Sequence, residues 1–441
     1  MPSTRARAPW IGLVVAVLLV AVAFAVPPLT GWEVWSRAPR SVVAHEVPPL
    51  HGWWDAKLLG PGTLPAVAIG LAGWWSGPRL AERLSWGRLM LVSYVVGLAW
   101  LLALALVDGT DGITRALGSH YEYLPSARDV TDVHALLQGY VDRIPIDSPH
   151  AWPTHPAGHP PGALLFFVLL VRVGLGGSLA AGLVVTAVAA TAALAVLVTV
   201  RALGSEAAAR RAAPFLVLGP SAVFMAVSGD AVFTAVAAWG LACLALGARA
   251  SGGRLVAWST LAGLLLGWCV MSSYGLPLLG VLAIAVLVLA RSWWPLPVAA
   301  TAALALVLGF AAYGFAWWEA LPVLRERYWD GIAADRPAAY WTWGNLAALV
   351  VCAGPLLGPG LAMLRRGADR VVLLLVAAAV ACVVLADLSQ MSRAEVERIW
   401  LPFVPWLLLS TALLPERWRR WGLLLQVCWA LAVQQLLYTS W

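Results

Sequence analysis

Residues 178–202 read SLAAGLVVTAVAATAALAVLVTVRA, and Arg201 is the only ionisable group among them. A helix of this length rises about 37 Å, enough to cross a hydrocarbon core of about 30 Å with some tilt. Its Ala, Gly, Leu and Val content suits close helix packing in lipid. Runs of the same kind recur at about 10–26, 61–75, 88–107, 211–227, 230–249, 254–270, 274–291, 294–317, 343–364, 370–388, 399–414 and 420–438. The expected fold is therefore all-α, a polytopic transmembrane bundle of about thirteen spans. The first run follows Arg5 and Arg7 but lacks a small-residue cleavage site and leads into Pro27-Pro28, so it reads as a retained span.

The composition agrees. Of 441 residues, 61% are apolar and 12% charged, against about 25% charged in an average soluble domain. The net charge of +7 does not indicate nucleic acid, because Lys57 is the only lysine and the arginines cluster between apolar runs. The five cysteines lie inside apolar runs without CxxC spacing, which argues against a disulfide framework or a zinc site. No Walker loop, dinucleotide fingerprint, HExxH or GxSxG occurs.

Charge counting decides how the chain threads. With the N-terminus in the cytoplasm, the arginines at 5–7, 79–88, 201–211, 249–254, 291, 365–370 and 417–420 fall on that side. Eighteen of the 22 acids fall on the other. This requires that the short apolar piece 161–173 not cross; thirteen residues span about 20 Å, so it reads as a juxtamembrane or re-entrant helix. The polar segments 27–60, 108–160, 318–342 and 389–398 are then extracytoplasmic. Residues 1–87 form an N-terminal extension of two spans with the loop 27–60. Residues 88–441 form the core, with outer loops 108–177, 318–342 and 389–398.

Chemistry is expected in those outer segments. A loop of more than 50 residues is uncommon without a function. The longest one opens with Asp108 and Asp111, continues through Glu122, and ends on His155 and His159 within Pro153-Thr154-His155-Pro156-Ala157-Gly158-His159-Pro160-Pro161-Gly162. Interfacial carboxylates act as general bases, and histidine holds a phosphate or an acid proton. Proline in the first helical turn costs no hydrogen bond, so this run also serves simply as a rigid helix start. Asp230, in Ser228-Gly229-Asp230, either caps the following helix or faces a substrate cavity. Arg325, Arg327 and Tyr328 stand among aromatics in 321–345, a composition that suits a lipid phosphate and a stacked sugar, and equally an interfacial belt. In the stretch 387–400, Arg393, Glu395 and Arg398 run directly into a span. Arg398 needs a partner there, and Glu395 or a bound phosphate would serve. His45, Glu46, His51 and Asp55 form no recognisable arrangement, and Trp53-Trp54-Asp55 reads as an interfacial anchor.

The order of these elements resembles the GT-C superfamily of membrane glycosyltransferases, which transfer sugars from polyprenyl-phosphate donors on the outer face. The resemblance covers residues from about 88 onward. It rests on the acidic loop after a span (Asp108, Asp111), on His159-Pro160-Pro161-Gly162, similar to the His-Pro-Pro element of protein mannosyltransferase-like members, and on Ser228-Gly229-Asp230. It also rests on Glu397-Arg398-Ile399-Trp400, similar to a stretch of actinobacterial membrane proteins of that superfamily. The resemblance implies a catalytic base at Asp111, with Asp108 next, or at Asp55 if the loop 27–60 plays that part. The family's Asp-Glu pair is absent, since Gly109 and Gly112 follow the two aspartates. The implied reaction is an inverting displacement without metal or other cofactor, moving a sugar to a glycan, lipid or protein acceptor. Arg393 and Arg398, with Arg325, Arg327 and Tyr328, would hold the departing phosphate; Glu122, His155, His159, Asp230 and Glu395 would line the substrate.

Two other classes fit such a composition. A secondary transporter or flippase predicts ionisable groups in mid-span, whereas here they concentrate at span ends. A non-catalytic envelope scaffold would tolerate loss of Asp108, Asp111 and Arg398.

Overall fold

A computed structural model describes residues 2–37, 45–365 and 368–439. Arg366 lies outside the described residues, as does the side chain of Arg5. The described chain is a helical bundle with one two-stranded antiparallel pair, Gly52–Trp54 against Leu437–Thr439.

Among the described residues, seven helices are long and apolar enough to cross a membrane: Arg7–Thr30, Trp86–Asp108, Ser178–Ala202, Gly229–Ala248, Gly252–Val270, Pro295–Ala312 and Arg370–Leu388. The all-α bundle is as expected, but thirteen continuous spans are not seen; Pro161–Arg172, Leu276–Ala290, Ala338–Ala353 and Leu401–Leu413 are shorter apolar helices. Several other apolar runs are broken by the residues they contain. The run 211–227 divides into Glu206–Val217 and the single turn Ala222–Met225, either side of Gly219-Pro220. The run 343–364 divides into Ala338–Ala353 and Leu357–Ala362 at Gly354 (φ 88°) and Pro355. Pro402 and Pro405 cut 399–414 into short helical pieces. Proline lacks the amide that would continue the helical ladder, and hydropathy alone does not register that loss.

Backbone groups freed by such breaks must be satisfied inside an apolar bundle. At the Gly354 break the fully buried Gln426 does so. Its Nε2 donates to the carbonyl of Ala353 (2.8 Å), and its Oε1 accepts from the amide of Leu356 (3.3 Å). Trp429 Nε1 donates to Val351 O nearby (3.1 Å).

The connections gather at two ends. At one end Arg201 and Arg210 pair with Glu206, Arg210 also donates to the carbonyls of Ala81 and Leu84, Arg249 donates to that of Ala202, and Arg419 pairs with Glu82. Ser205 bonds Asp369 at this end as well. The described parts of the segment 27–60 and the segments 108–160, 318–342 and 389–398 meet at the other end. The helix Pro161–Arg172 starts and finishes there: His159, just before it, packs on Tyr123, and Arg172 Nη2 donates to Thr131 O (3.3 Å). Residues 1–87 are built into the same bundle, with Arg7–Thr30 against Leu357–Ala362 and Thr63–Arg83 against Glu416–Leu436.

Candidate functional site

The loop-bearing end holds a cluster of buried ionisable side chains drawn from distant parts of the sequence. Its centre is Arg398, in the short helix Val396–Ile399. Nη1 lies 2.8 Å from Oδ2 of Asp230, and Nη2 lies 3.6 Å from Oε2 of Glu395. Burial alone would lower the Arg398 pKa, but Asp230, Glu122 and Glu395 outweigh it and raise the guanidinium further. Asp230 is the second residue of the helix Gly229–Ala248, where a negative charge also meets the positive end of the helix dipole.

Glu395 adopts a left-handed conformation (φ 61°). The turn around it is held by the buried Asn345, whose Nδ2 donates to Asp387 Oδ1 (2.8 Å) and Ser392 O (2.9 Å) while its Oδ1 accepts from the amide of Ala394 (3.1 Å). Arg336 Nη2 lies 3.2 Å and His51 Nδ1 3.7 Å from Glu395 Oε1. Burial would raise the Glu395 pKa; His51, Arg336 and Arg398 overcome it and hold the carboxyl well below the usual carboxylate range.

A second pair stands beside this one. Glu122 Oε1 and His155 Nδ1 are 2.6 Å apart and both side chains are buried. Burial works to raise the Glu122 pKa, but His155, Arg398 and His159 prevail and lower it. Glu122 Oε2 has no hydrogen-bond partner among the described residues, and neither has the buried Tyr123 hydroxyl, whose pKa is raised by burial and by Asp230 and Glu122. Tyr123 stacks on Phe167 (5.4 Å between centroids) and meets His159 edge-on. Burial depresses the His159 imidazole to about 4, and its Nδ1 lies 3.0 Å from the carbonyl of His155.

The remaining expected residues lie elsewhere. Asp108 is bound by Lys57 (2.7 Å) and Arg115 (3.2 Å), and Lys57 reaches Asp55 at 3.8 Å. Asp111 is exposed at the start of the helix Asp111–Gly118. Among the described residues no ion pair or hydrogen bond joins either aspartate to Arg398. Arg393 ties its loop to the segment 318–342: it bonds Gln390 Oε1 and the carbonyl of Arg336, lies over the ring of Trp329, and its amide donates to the Tyr328 hydroxyl. Arg327 ties the carbonyls of Ile144 and Trp152, and Arg325 is exposed.

Sequence reasoning missed three members. Glu397 is fully buried, accepts from the amide of His51 at Oε1 (2.9 Å), and is pushed up to about 7, chiefly by burial. His51, depressed to about 4 by burial, and Arg336 complete the set. The dense charge of 393–398 is the available signal for Glu397, and the arginine-aromatic stretch 321–345 contains Arg336 without distinguishing it from Arg325 and Arg327; nothing local marks His51. No group of three or more His, Cys, Asp or Glu side chains among the described residues is placed to hold a metal ion.

Chemically, the cluster offers a fixed cation, Arg398, between Asp230 and Glu395, a carboxylate–imidazole pair, and two polar atoms, Glu122 Oε2 and the Tyr123 hydroxyl, without a hydrogen-bond partner among the described residues. No protein-family model, curated protein or solved structure matches the chain.

Proposed function

We propose that the chain is a multi-pass membrane glycosyltransferase of GT-C type, moving a sugar from a polyprenyl-phosphate donor to an envelope acceptor at the extracytoplasmic face. The observation that carries this reading is the buried assembly of Arg398, Asp230, Glu395, Glu122 and His155 at one end of the bundle. Its charges sit at helix ends and in connections, as a site for a lipid phosphate would need, rather than in mid-span as ion coupling would require. Cationic groups preset towards a departing phosphate stabilise charge as it develops, with little reorganisation. Arg398 Nη2 is the position for that phosphate, replacing the 3.6 Å contact with Glu395.

The acceptor's proton goes to the Glu122–His155 pair in this scheme. Asp108 already serves two cations and Asp111 is exposed with no ion pair to the cluster among the described residues, so the base passes to Glu122 and His155, which the resemblance implies as substrate-lining residues. The arginine-rich end faces the cytoplasm by the positive-inside rule, which puts the N-terminus there and the cluster outside.

The test is transfer from synthetic polyprenyl-phosphate mannose and arabinofuranose by purified protein in nanodiscs, read as released polyprenyl phosphate. Glu122→Gln is expected to lower kcat at least 100-fold per folded molecule, and Asp111→Asn to stay within threefold of the parent. Full activity of Glu122→Gln, or loss of activity only in Asp108→Asn or Asp111→Asn, overturns the assignment. A transporter is the second reading, favoured by the interrupted helices around Gly354 and Pro405. Donor flipping in proteoliposomes without sugar transfer would select it.

A further inference from the structure

The loop 108–160 carries an open pocket of about 290 Å³ lined by Ser126, Asp129, Thr131, Asp132, Arg143 and Trp152 among others, with Asp129, Thr131 and Asp132 exposed at its rim. By contrast, the groove between the helices Trp86–Asp108 and Ser178–Ala202 holds only about 30 Å³. The loop cavity thus has the room for a small ligand, close to the lower end of the usual range of about 300–1,000 Å³.

Its walls are shaped by groups with other tasks. Arg143 lies flat over the Trp152 ring, 3.3 Å from its centroid, and Nε donates to the carbonyl of His150 (2.8 Å). Asp132 caps the helix Val133–Gln138 with one oxygen, Oδ1 accepting from the amides of His134 (2.7 Å) and Ala135 (3.2 Å). These backbone bonds hold its carboxyl below the ordinary range, so it is an ionised acceptor at neutral pH. Its Oδ2, and both oxygens of Asp129, accept no hydrogen bond among the described residues. The lining therefore combines open carboxylate acceptors, the hydroxyls of Ser126 and Thr131, and a guanidinium stacked on an indole.

The sign of the charge narrows the ligand. Two carboxylates disfavour an anion, and Arg143 in the same lining disfavours a simple cation. A neutral ligand rich in hydroxyl groups satisfies both, donating to the carboxylates and accepting from Arg143. The position fits as well. Trp152 Nε1 donates to the carbonyl of Tyr140 (3.1 Å), while the Tyr140 hydroxyl donates to the carbonyl of His159 (3.1 Å). One residue thus anchors both the cavity wall and the buried cluster. The helix Tyr123–Arg128 links them again, with Tyr123 in the cluster and Ser126 in the cavity.

We propose that this cavity, floored by Trp152 and edged by Asp129, Asp132 and Arg143, binds a neutral glycan: the acceptor of the transfer reaction. The assignment deepens the transferase reading and rests on it only for the ligand's role as acceptor; binding of the glycan stands on the cavity alone.

The experiment separates the two. Full-length protein in nanodiscs, free of sugar detergents, is titrated with mannotriose and with an arabinofuranose trisaccharide, and binding is followed by saturation-transfer NMR and tryptophan fluorescence. Micromolar to millimolar binding of one trisaccharide is expected, weakened at least tenfold by Asp129→Asn and by Asp132→Asn, which keeps the helix cap. Thr131→Ala, whose hydroxyl makes no hydrogen bond among the described residues, gives a second measure if an aspartate variant fails to fold, with a threefold or greater loss expected. In the transfer assay these variants raise the acceptor KM and leave kcat near the parent value. Trisaccharide binding with no transfer from either donor keeps the cavity and rejects the transferase. No binding of either sugar, or equal binding by all variants, or preferential capture of a polyamine, overturns the glycan site.

Discussion

Arg398 Nη1 lies 2.8 Å from Asp230 Oδ2, with both side chains only 4% exposed, and this contact joins the connection before Leu401–Leu413 to the first turn of the helix Gly229–Ala248. A buried ion pair adds little net stability over an apolar pair of similar size, yet removing one partner strands a charge and costs about 3–5 kcal/mol. Arg398→Met and Asp230→Asn are each expected to lower the melting temperature strongly. The double variant Arg398→Met/Asp230→Asn should recover at least about 1.5 kcal/mol of the summed loss, because its charges leave together. Thermal unfolding of the four proteins in one detergent measures the coupling; strict additivity would show that the two side chains do not share their stabilisation.

Glu397 predicts a pH signature. Its carboxyl is raised from 4.5 to about 7 in the folded protein, mainly by burial and further by Glu395, with Arg398 and the His51 amide opposing. The folded state therefore holds the proton more tightly than the unfolded one. The resulting stability is fully present below pH 4.5 and is lost as pH rises through 7, on the order of 3 kcal/mol in all. Glu397→Gln cannot lose that proton. Its melting temperature relative to the parent should be near equal at pH 5 and clearly higher at pH 8. His51 and His159, both depressed to about 4, act in the opposite direction as pH falls below 6.5, but they are common to both proteins. A constant difference across pH 5–8 would refute the assignment.

Gln426 gives a prediction in the membrane interior. Gln426→Leu removes the partners of Ala353 O and Leu356 N at the Gly354 break. A stranded buried backbone group costs about 1–3 kcal/mol. A comparable loss is expected in detergent melting, together with faster proteolysis between residues 353 and 357. Gln426→Glu, which keeps an acceptor but loses the donor, should fall at least as far.

The sequence announced its helices through apolar runs, and it announced which connections share an end through the arginines. Arg201, Arg210, Arg249 and Arg419 do gather with Glu206 and Glu82 as that pattern implied. It did not announce how many runs stay continuous, because Pro220, Pro355, Pro402 and Pro405 change backbone hydrogen bonding without changing hydropathy. At the cluster, Arg398's need for a partner was legible from its place beside a span. Glu395 was anticipated, whereas Asp230, 168 positions away, supplies the shorter contact. Such pairings depend on tertiary placement, which is also why Asp108 turned out to be committed to Lys57 and why His51 carried no signal.

The threading itself is open to a direct measurement. Thr131 and Ser389 are exposed in loops at the cluster end, and Ser251 is exposed between the helices Gly229–Ala248 and Gly252–Val270 at the opposite end. Cys428 is the exposed native cysteine; the other four are buried. In a Cys428→Ser background, Thr131→Cys and Ser389→Cys should react with an impermeant maleimide added to intact cells, and Ser251→Cys only after permeabilisation. That orientation is the one the proposed function requires and the positive-inside pattern of the arginines predicts. The reverse pattern would turn the bundle over and bring the cluster to the cytoplasmic leaflet, where an extracytoplasmic donor cannot reach Arg398. Labelling of Thr131→Cys and Ser389→Cys from opposite sides would go further, because the loops carrying Glu122 and Glu395 would then be unable to meet around one guanidinium.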